Sequence, residues 1–309
     1  MSQITDTEAP VDYRKYLDPK TLAKVQALDI RARLIVEGFI TGMHRSPYKG
    51  FSVEFAQHRP YVSGDDIKYI DWKVFGRSDR HYIKQYEEET NLQLMLLVDA
   101  SESMAFAGSN REWSKFDHAT SIAASLAYVA LHQQDSAGLA VFDDKMRSFL
   151  RPSTSPRQWK LIINELTRVP KREKTSLGKL LDDLAEQINH RSLIVLISDL
   201  FDSPESLAKG IKHLRYRRHD LIVMQVLDHD ELTFPFETTT LFKGMEQMGE
   251  LVVEPRALRE GYLEELRKHT EQVRNLCHSL RVDFLQVDTS MPLDVVLPNF
   301  LAVRSARMK

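Results

Sequence analysis

The segment Leu96-Leu97-Val98-Asp99-Ala100-Ser101-Glu102-Ser103-Met104 carries an apolar run into one carboxylate and then two hydroxyls at alternate positions. Asp99, Ser101 and Ser103 therefore offer oxygen donors at the end of a strand, where the ligands of open α/β sheets gather. A donor set made only of oxygen suits hard divalent cations: Mg2+, with an octahedral shell at about 2.0 to 2.1 Å, or alternatively Mn2+ or Ca2+. Neutral hydroxyls leave much of the ion's charge uncompensated, so the Asp or Glu of an acidic partner can supply a missing oxygen. Two later positions extend the set: Thr175, just before a helix expected from about Leu177, and Asp199, which ends the strand expected over Ser192–Ser198. Both belong on the same sheet edge as Asp99.

The elements that must position these residues follow from hydrophobic periodicity. Leu92–Asp99, Ser136–Phe142, Ser192–Ser198 and Asp220–Leu227 read as buried strands, with Val282–Val287 as a closing one and Leu251–Glu254 as a short one. Between them, amphipathic helices are expected near Lys115–Gln133, Pro156–Arg168, Leu177–His190 and Pro204–Tyr216. A long helix then carries Leu258, Tyr262, Leu266, Val273, Leu276 and Leu280 in register. Strands that alternate with helices predict an α/β domain over residues 91–309, a mostly parallel sheet covered on both faces. Upstream, residues 1–90 read as a polar arm, a helix over Thr21–Thr41 with the stripe Leu22, Val25, Leu28, Ala32, Ile35 and Phe39, and a small β-rich extension. Strands near Phe51–Tyr61 and His81–Glu87 flank a short helix near Ile67–Phe75, and the region is expected to pack on the main domain.

The Asp-x-Ser-x-Ser run, with a threonine from a second loop and an aspartate from a third, resembles the metal-ion-dependent adhesion site of von Willebrand factor A domains. The matching positions are Asp99, Ser101, Ser103, Thr175 and Asp199. Many such domains follow the third-loop aspartate with glycine, whereas Leu200 stands here and could narrow access to the ion. Further blocks, His44-Arg45-Ser46-Pro47-Tyr48-Lys49-Gly50, Glu54-Phe55, Gly64 to Lys73 and Lys84 to Glu89, resemble the signature of the DUF58 family. That resemblance implies a von Willebrand factor A-like, Rossmann-like domain and a non-enzymatic interaction or assembly module. It also implies a MoxR-type AAA+ ATPase as the partner of an adaptor or chaperone-like protein.

Composition limits the alternatives. The 42 basic and 44 acidic residues of this 309-residue chain leave a formal charge of -2, so no global field drives it onto nucleic acid or anionic lipid. A single cysteine, Cys277, excludes an internal disulfide and a cysteine-based zinc site. No apolar run approaches the roughly 20 residues of a membrane span, and no signal region opens the sequence, so a cytoplasmic setting is expected.

Blander roles compete at several positions. Ser101 and Ser103 could simply cap a turn, Asp65 could cap a short helix, and Trp72 could be a packing anchor. Lys212 to His219, basic and carrying Tyr216, could touch phosphates, but at a helix end its cations complement the dipole. Cys277 falls in an apolar helical stripe and is expected in the core.

The runner-up function is a metal-dependent phosphoester hydrolase using Asp99 as nucleophile or its cation to activate water. Haloacid dehalogenase-type phosphatases place a second aspartate two residues after the nucleophile, where Ser101 stands here, and a serine is a poor acid and base at neutral pH. No Gly-x-x-x-x-Gly-Lys-Ser/Thr phosphate loop is present; Gly178-Lys179 lacks the upstream glycine.

Overall fold

Strands built from consecutive Leu, Ile, Val and Met can be buried on both faces only if helices cover both, and that is the arrangement found. The computed structural model describes residues 28–43, 58–62, 74–76, 82–84, 92–108, 113–168, 177–243 and 249–307. The elements in order are α1 (Leu28–Met43), β1 (His58–Pro60), β2 (Tyr82–Lys84), β3 (Gln93–Asp99), a 3-10 turn (Ser103–Ala105), α2 (Lys115–His132), β4 (Ser136–Phe142) and β5 (Met146–Ser153). There follow α3 (Gln158–Thr167), α4 (Leu177–Gln187), β6 (Leu193–Ser198), α5 (Pro204–Tyr216), β7 (Asp220–Leu227) and α6 (His229–Thr233). The chain ends with β8 (Thr240–Lys243), β9 (Glu250–Val253), α7 (Pro255–Ser279), β10 (Asp283–Asp288) and α8 (Leu293–Arg307).

Six strands form the central sheet in the order β10-β7-β6-β3-β4-β5. All neighbours are parallel except β4 and β5, which are antiparallel. The strand period of two divides β3 between two cores. Leu94, Leu96 and Val98 pack with Ala119, Ile122 and Ala123 of α2 and with Leu28, Ala32 and Ile35 of α1. Met95 and Leu97 pack on the other face with Leu181 and Leu184 of α4, Leu207 and Ile211 of α5, and Val273 and Cys277 of α7. The expected mostly parallel α/β sheet with helices on both faces is therefore present. Cys277 is fully buried, and burial pushes its thiol up to about 12.

The chain divides into two compact units, Met43–Asn91 and the remainder. Helix α1 belongs to the larger unit. In the smaller unit β1 and β2 pair antiparallel, with Arg59 opposite Ile83. Most of the upstream signature, including His44 to Gly50, Glu54-Phe55, Asp65, Asp66, Asp71 and Trp72, lies outside the described residues, as do Leu22 and Val25 of the expected first helix.

Two elements are hidden from periodicity by their composition, β5 and α8. β5 was not anticipated: it is an edge strand, half-buried along most of its length, and holds Arg147, Arg151 and Pro152, so it lacks both a continuous apolar run and clean alternation. The short strand expected at Leu251–Glu254 is present as Glu250–Val253 and pairs antiparallel with β8 in a separate two-stranded ribbon. Helix α8 carries Pro298 in its interior, a residue that normally signals a helix break. At the end of α5, Arg215 folds back onto the His219 carbonyl (2.8 Å) and Asp220 (3.3 Å), so this cation serves the helix terminus while Tyr216 is exposed.

Among the described residues, no helix is long and apolar enough to cross a membrane.

Candidate functional site

The strand order reverses direction between β3 and β6: from β3 the chain proceeds outward through β4 and β5, and from β6 through β7 and β10. Such a switch point leaves a crevice at the carboxyl ends of the two strands. The register Val98 opposite Ile197 brings Asp99 alongside Ser198 there. A small cleft at this point is lined by Asp99, Ser101, Ser103, Leu177, Ser198, Asp199, Phe201 and Asp202.

Asp99 is 1% exposed and hydrogen-bonded on both oxygens. The Ser101 N–H donates to Oδ1 (2.8 Å) and the Ser198 hydroxyl donates to Oδ2 (2.6 Å). Burial pushes its pKa up to about 7, and the charge of Asp199 adds to the rise against the pull of the Ser198 and Ser101 hydrogen bonds. The hydroxyl oxygens of Ser101 and Ser103 lie 3.0 Å apart. Adjacent ligands at about 2.1 Å in an octahedral shell are separated by about 3.0 Å, so the two hydroxyls are spaced as neighbouring vertices. The 3-10 turn that starts at Ser103 sets this spacing, with the Met104 N–H donating to the Ser101 carbonyl (3.2 Å).

Asp199 reaches the same rim from β6 and is 2% exposed. Its Oδ1 accepts the Phe201 N–H (3.3 Å), and its Oδ2 accepts from the Lys115 ammonium (2.9 Å). Asp202 receives the N–H groups of Leu177 (2.9 Å) and Gly178 (3.4 Å), tying the start of α4 to the rim. Gly178 has no substitute there, because a Cβ would collide with Ser206 of α5. Thr175, expected from this second loop, lies outside the described residues. The structure thus brings Asp99, Ser101, Ser103 and Asp199 together. Among the described residues, no three His, Cys, Asp or Glu side chains gather as a metal cluster, so any ion here would rely on hydroxyls beside carboxylates.

Leu200 occupies the position where glycine is common in the adhesion sites that this loop resembles, and its φ of 61° lies in the left-handed region that glycine favours. The strain, about 1 to 2 kcal/mol, is offset by a leucine side chain that is 1% exposed within the second core. Because truncating a buried leucine costs about 2 to 5 kcal/mol, Leu200→Gly should lower stability by a net amount on the order of 2 kcal/mol. Urea unfolding checks this, and a variant more stable than the parent would show that strain dominates.

Five contributors to the site were not singled out in the sequence: Lys115, Ser198, Phe201, Asp202 and Glu231. Lys115 had a usable signal. It is the first residue of α2, where a cation opposes the helix dipole and a nearby acidic partner would relieve the mismatch.

The family described as "Protein of unknown function DUF58" matches residues 57–272. The chain is 23% identical over 292 residues to the uncharacterized protein Mb1516 of Mycobacterium bovis, covering 93% of this chain and 90% of that one. Among solved structures it is similar to the conserved hypothetical protein BatB of Bacteroides thetaiotaomicron, with TM-score 0.45 and 16% identity over 70% of this chain and 99% of that one. It is also similar to the SpRpn10 VWA domain, with TM-score 0.38 and 12% identity over 67% of this chain and 93% of that one.

Proposed function

The chain belongs to the DUF58 family, and from that premise we propose that it is a non-enzymatic protein-interaction module whose strand-end site takes a divalent cation, Mg2+ foremost. The observation that carries this reading is the pair of hydroxyls 3.0 Å apart beside the buried Asp99 carboxylate at the switch point of the sheet. Asp99, Ser101 and Ser103 would hold the ion, joined by Thr175 and Asp199 from the second and third loops. The bound ion would supply a positive vertex for a carboxylate oxygen from an acidic partner.

The chain's own residues favour such a partner at the rim. Phe201 is 46% exposed beside the cleft, with its ring 6.0 Å from that of His269, whose Nε2 lies 2.9 Å from the Leu200 carbonyl. An aromatic side chain next to a charge-dependent contact is the type that carries binding energy in interfaces. A MoxR-type AAA+ ATPase is the partner that the family resemblance supports, with this chain as adaptor. Hydrolase chemistry is disfavoured because Ser101, not a second carboxylate, follows Asp99 at the acid-base position.

The test is titration of the full chain with a purified MoxR-type ATPase, with Mg2+ and with chelator, for the parent and Asp99→Ala. A loss of about tenfold or more on chelation or substitution is expected, because a partner carboxylate loses its charged contact. Equal affinity in all arms would rule out a cation-bridged contact.

A further inference from the structure

Lys115 is the most completely enclosed cation in the described residues of the site. Its side chain is 0% exposed, and its ammonium lies 2.9 Å from Asp199 Oδ2 and 2.8 Å from Glu231 Oε1. The rings of Phe201 and Phe106 lie 5.0 and 5.9 Å from the same nitrogen. Its backbone is equally fixed. Ser114 forms a reciprocal capping box with Asp117 at the start of α2, and the Lys115 N–H donates to the Phe106 carbonyl (3.0 Å). Glu231 is held from behind, since its second oxygen accepts the Asp228 N–H (2.8 Å) that opens α6. The ammonium therefore cannot swing to solvent as surface lysines do.

We propose that Lys115 is a tethered counter-cation of the site, occupying one oxygen of Asp199 and so setting how tightly a divalent ion is held. The proposal rests on the cation-binding role given above. Asp199 lines the cleft on one side and faces the ammonium on the other, so the two positive charges compete for the same carboxylate. Glu231 moderates that competition by sharing the ammonium. A site built this way holds its ion weakly on its own and gains most from an added carboxylate, as a partner-dependent contact requires. It also connects ion occupancy to α6: when Asp199 turns toward an ion, Lys115 is left to Glu231.

Charge accounting gives opposite signs for two variants. Glu231→Gln removes the moderating carboxylate and leaves the whole ammonium charge to Asp199, so ion affinity falls. The double variant Lys115→Met with Glu231→Gln removes ammonium and carboxylate together, keeps the net charge, and frees Asp199, so affinity rises. General structural damage would weaken both.

The experiment is calorimetric titration of the full chain with MnCl2 at pH 8, for the parent, Glu231→Gln, the double variant and an Asp99→Ala control. Shifts of about tenfold in opposite directions are expected for charges a few ångströms from the ion in a largely desolvated site. Tighter binding by the double variant supports the proposal even if the parent's own affinity is too weak to measure. Affinities that stay put or move together, while Asp99→Ala abolishes binding, overturn the proposal and leave the cation role standing. Binding by neither parent nor double variant overturns both. If the double variant does not fold, Glu231→Gln alone decides: weaker binding supports the competition and unchanged binding overturns it.

Discussion

Divalent-ion affinity of the parent chain is expected to be about tenfold lower at pH 6 than at pH 8, because the ion and a proton compete for Asp99, whose pKa stands at about 7. Asp99→Asn should bind no ion at either pH. The same raised pKa fixes the sign of the stability effect. Asp99 has a folded-state pKa above the ordinary aspartate value of about 3.9, so its protonated form stabilises the fold fully below that value, and the contribution is lost as pH rises through about 7. In the presence of chelator the loss should be on the order of a few kcal/mol, and saturating Mg2+ at pH 8 should reverse it. Unfolding midpoints from pH 4 to 8, with and without Mg2+, check this against Asp99→Asn, which should lack the ion response and the share of the slope that Asp99 contributes. A parent whose slope equals that of Asp99→Asn would show that Asp99 does not titrate in this range.

The second large effect belongs to Lys115→Met alone, which should cost about 3 to 5 kcal/mol in urea unfolding. It leaves two largely buried carboxylates facing each other without a cation, and breaking a buried pair costs far more than the pair itself contributes. Burial works against the charged ammonium, yet Asp199 and Glu231 together hold it well above the usual lysine range, so it stays charged throughout. Adding Glu231→Gln to Lys115→Met should recover part of the loss by removing one of the stranded charges. A single variant less than about 1 kcal/mol below the parent would mean that the carboxylates find other partners or protonate at little cost.

The contrast between what was legible in the sequence and what was not follows the range of the interactions. β3, β6 and β7 are buried on both faces, so their composition declares them, and their alternation with helices declares the parallel sheet. β5 lies at the edge, half-exposed with Pro152, and carries no such signature. Asp99, Ser101 and Ser103 were visible because a single loop supplies them. Asp199 was visible because it ends a strand of unmistakable type. Lys115 joins Asp199 across 84 residues and Glu231 across 116, and no local pattern encodes those pairs. Only the misplaced charge at the start of α2 hinted that such partners exist. Leu200 stands in the sequence as a departure from glycine, but the left-handed backbone that makes the departure costly emerges only with the fold.

Crystals of the full chain grown at pH 8 with saturating MnCl2 give the most direct view of the site, through anomalous difference density at the manganese edge. The account predicts a peak between the Ser101 and Ser103 hydroxyls, about 2.1 Å from each, beside Asp99. An empty cleft under those conditions, or a peak confined to other carboxylates, would contradict it.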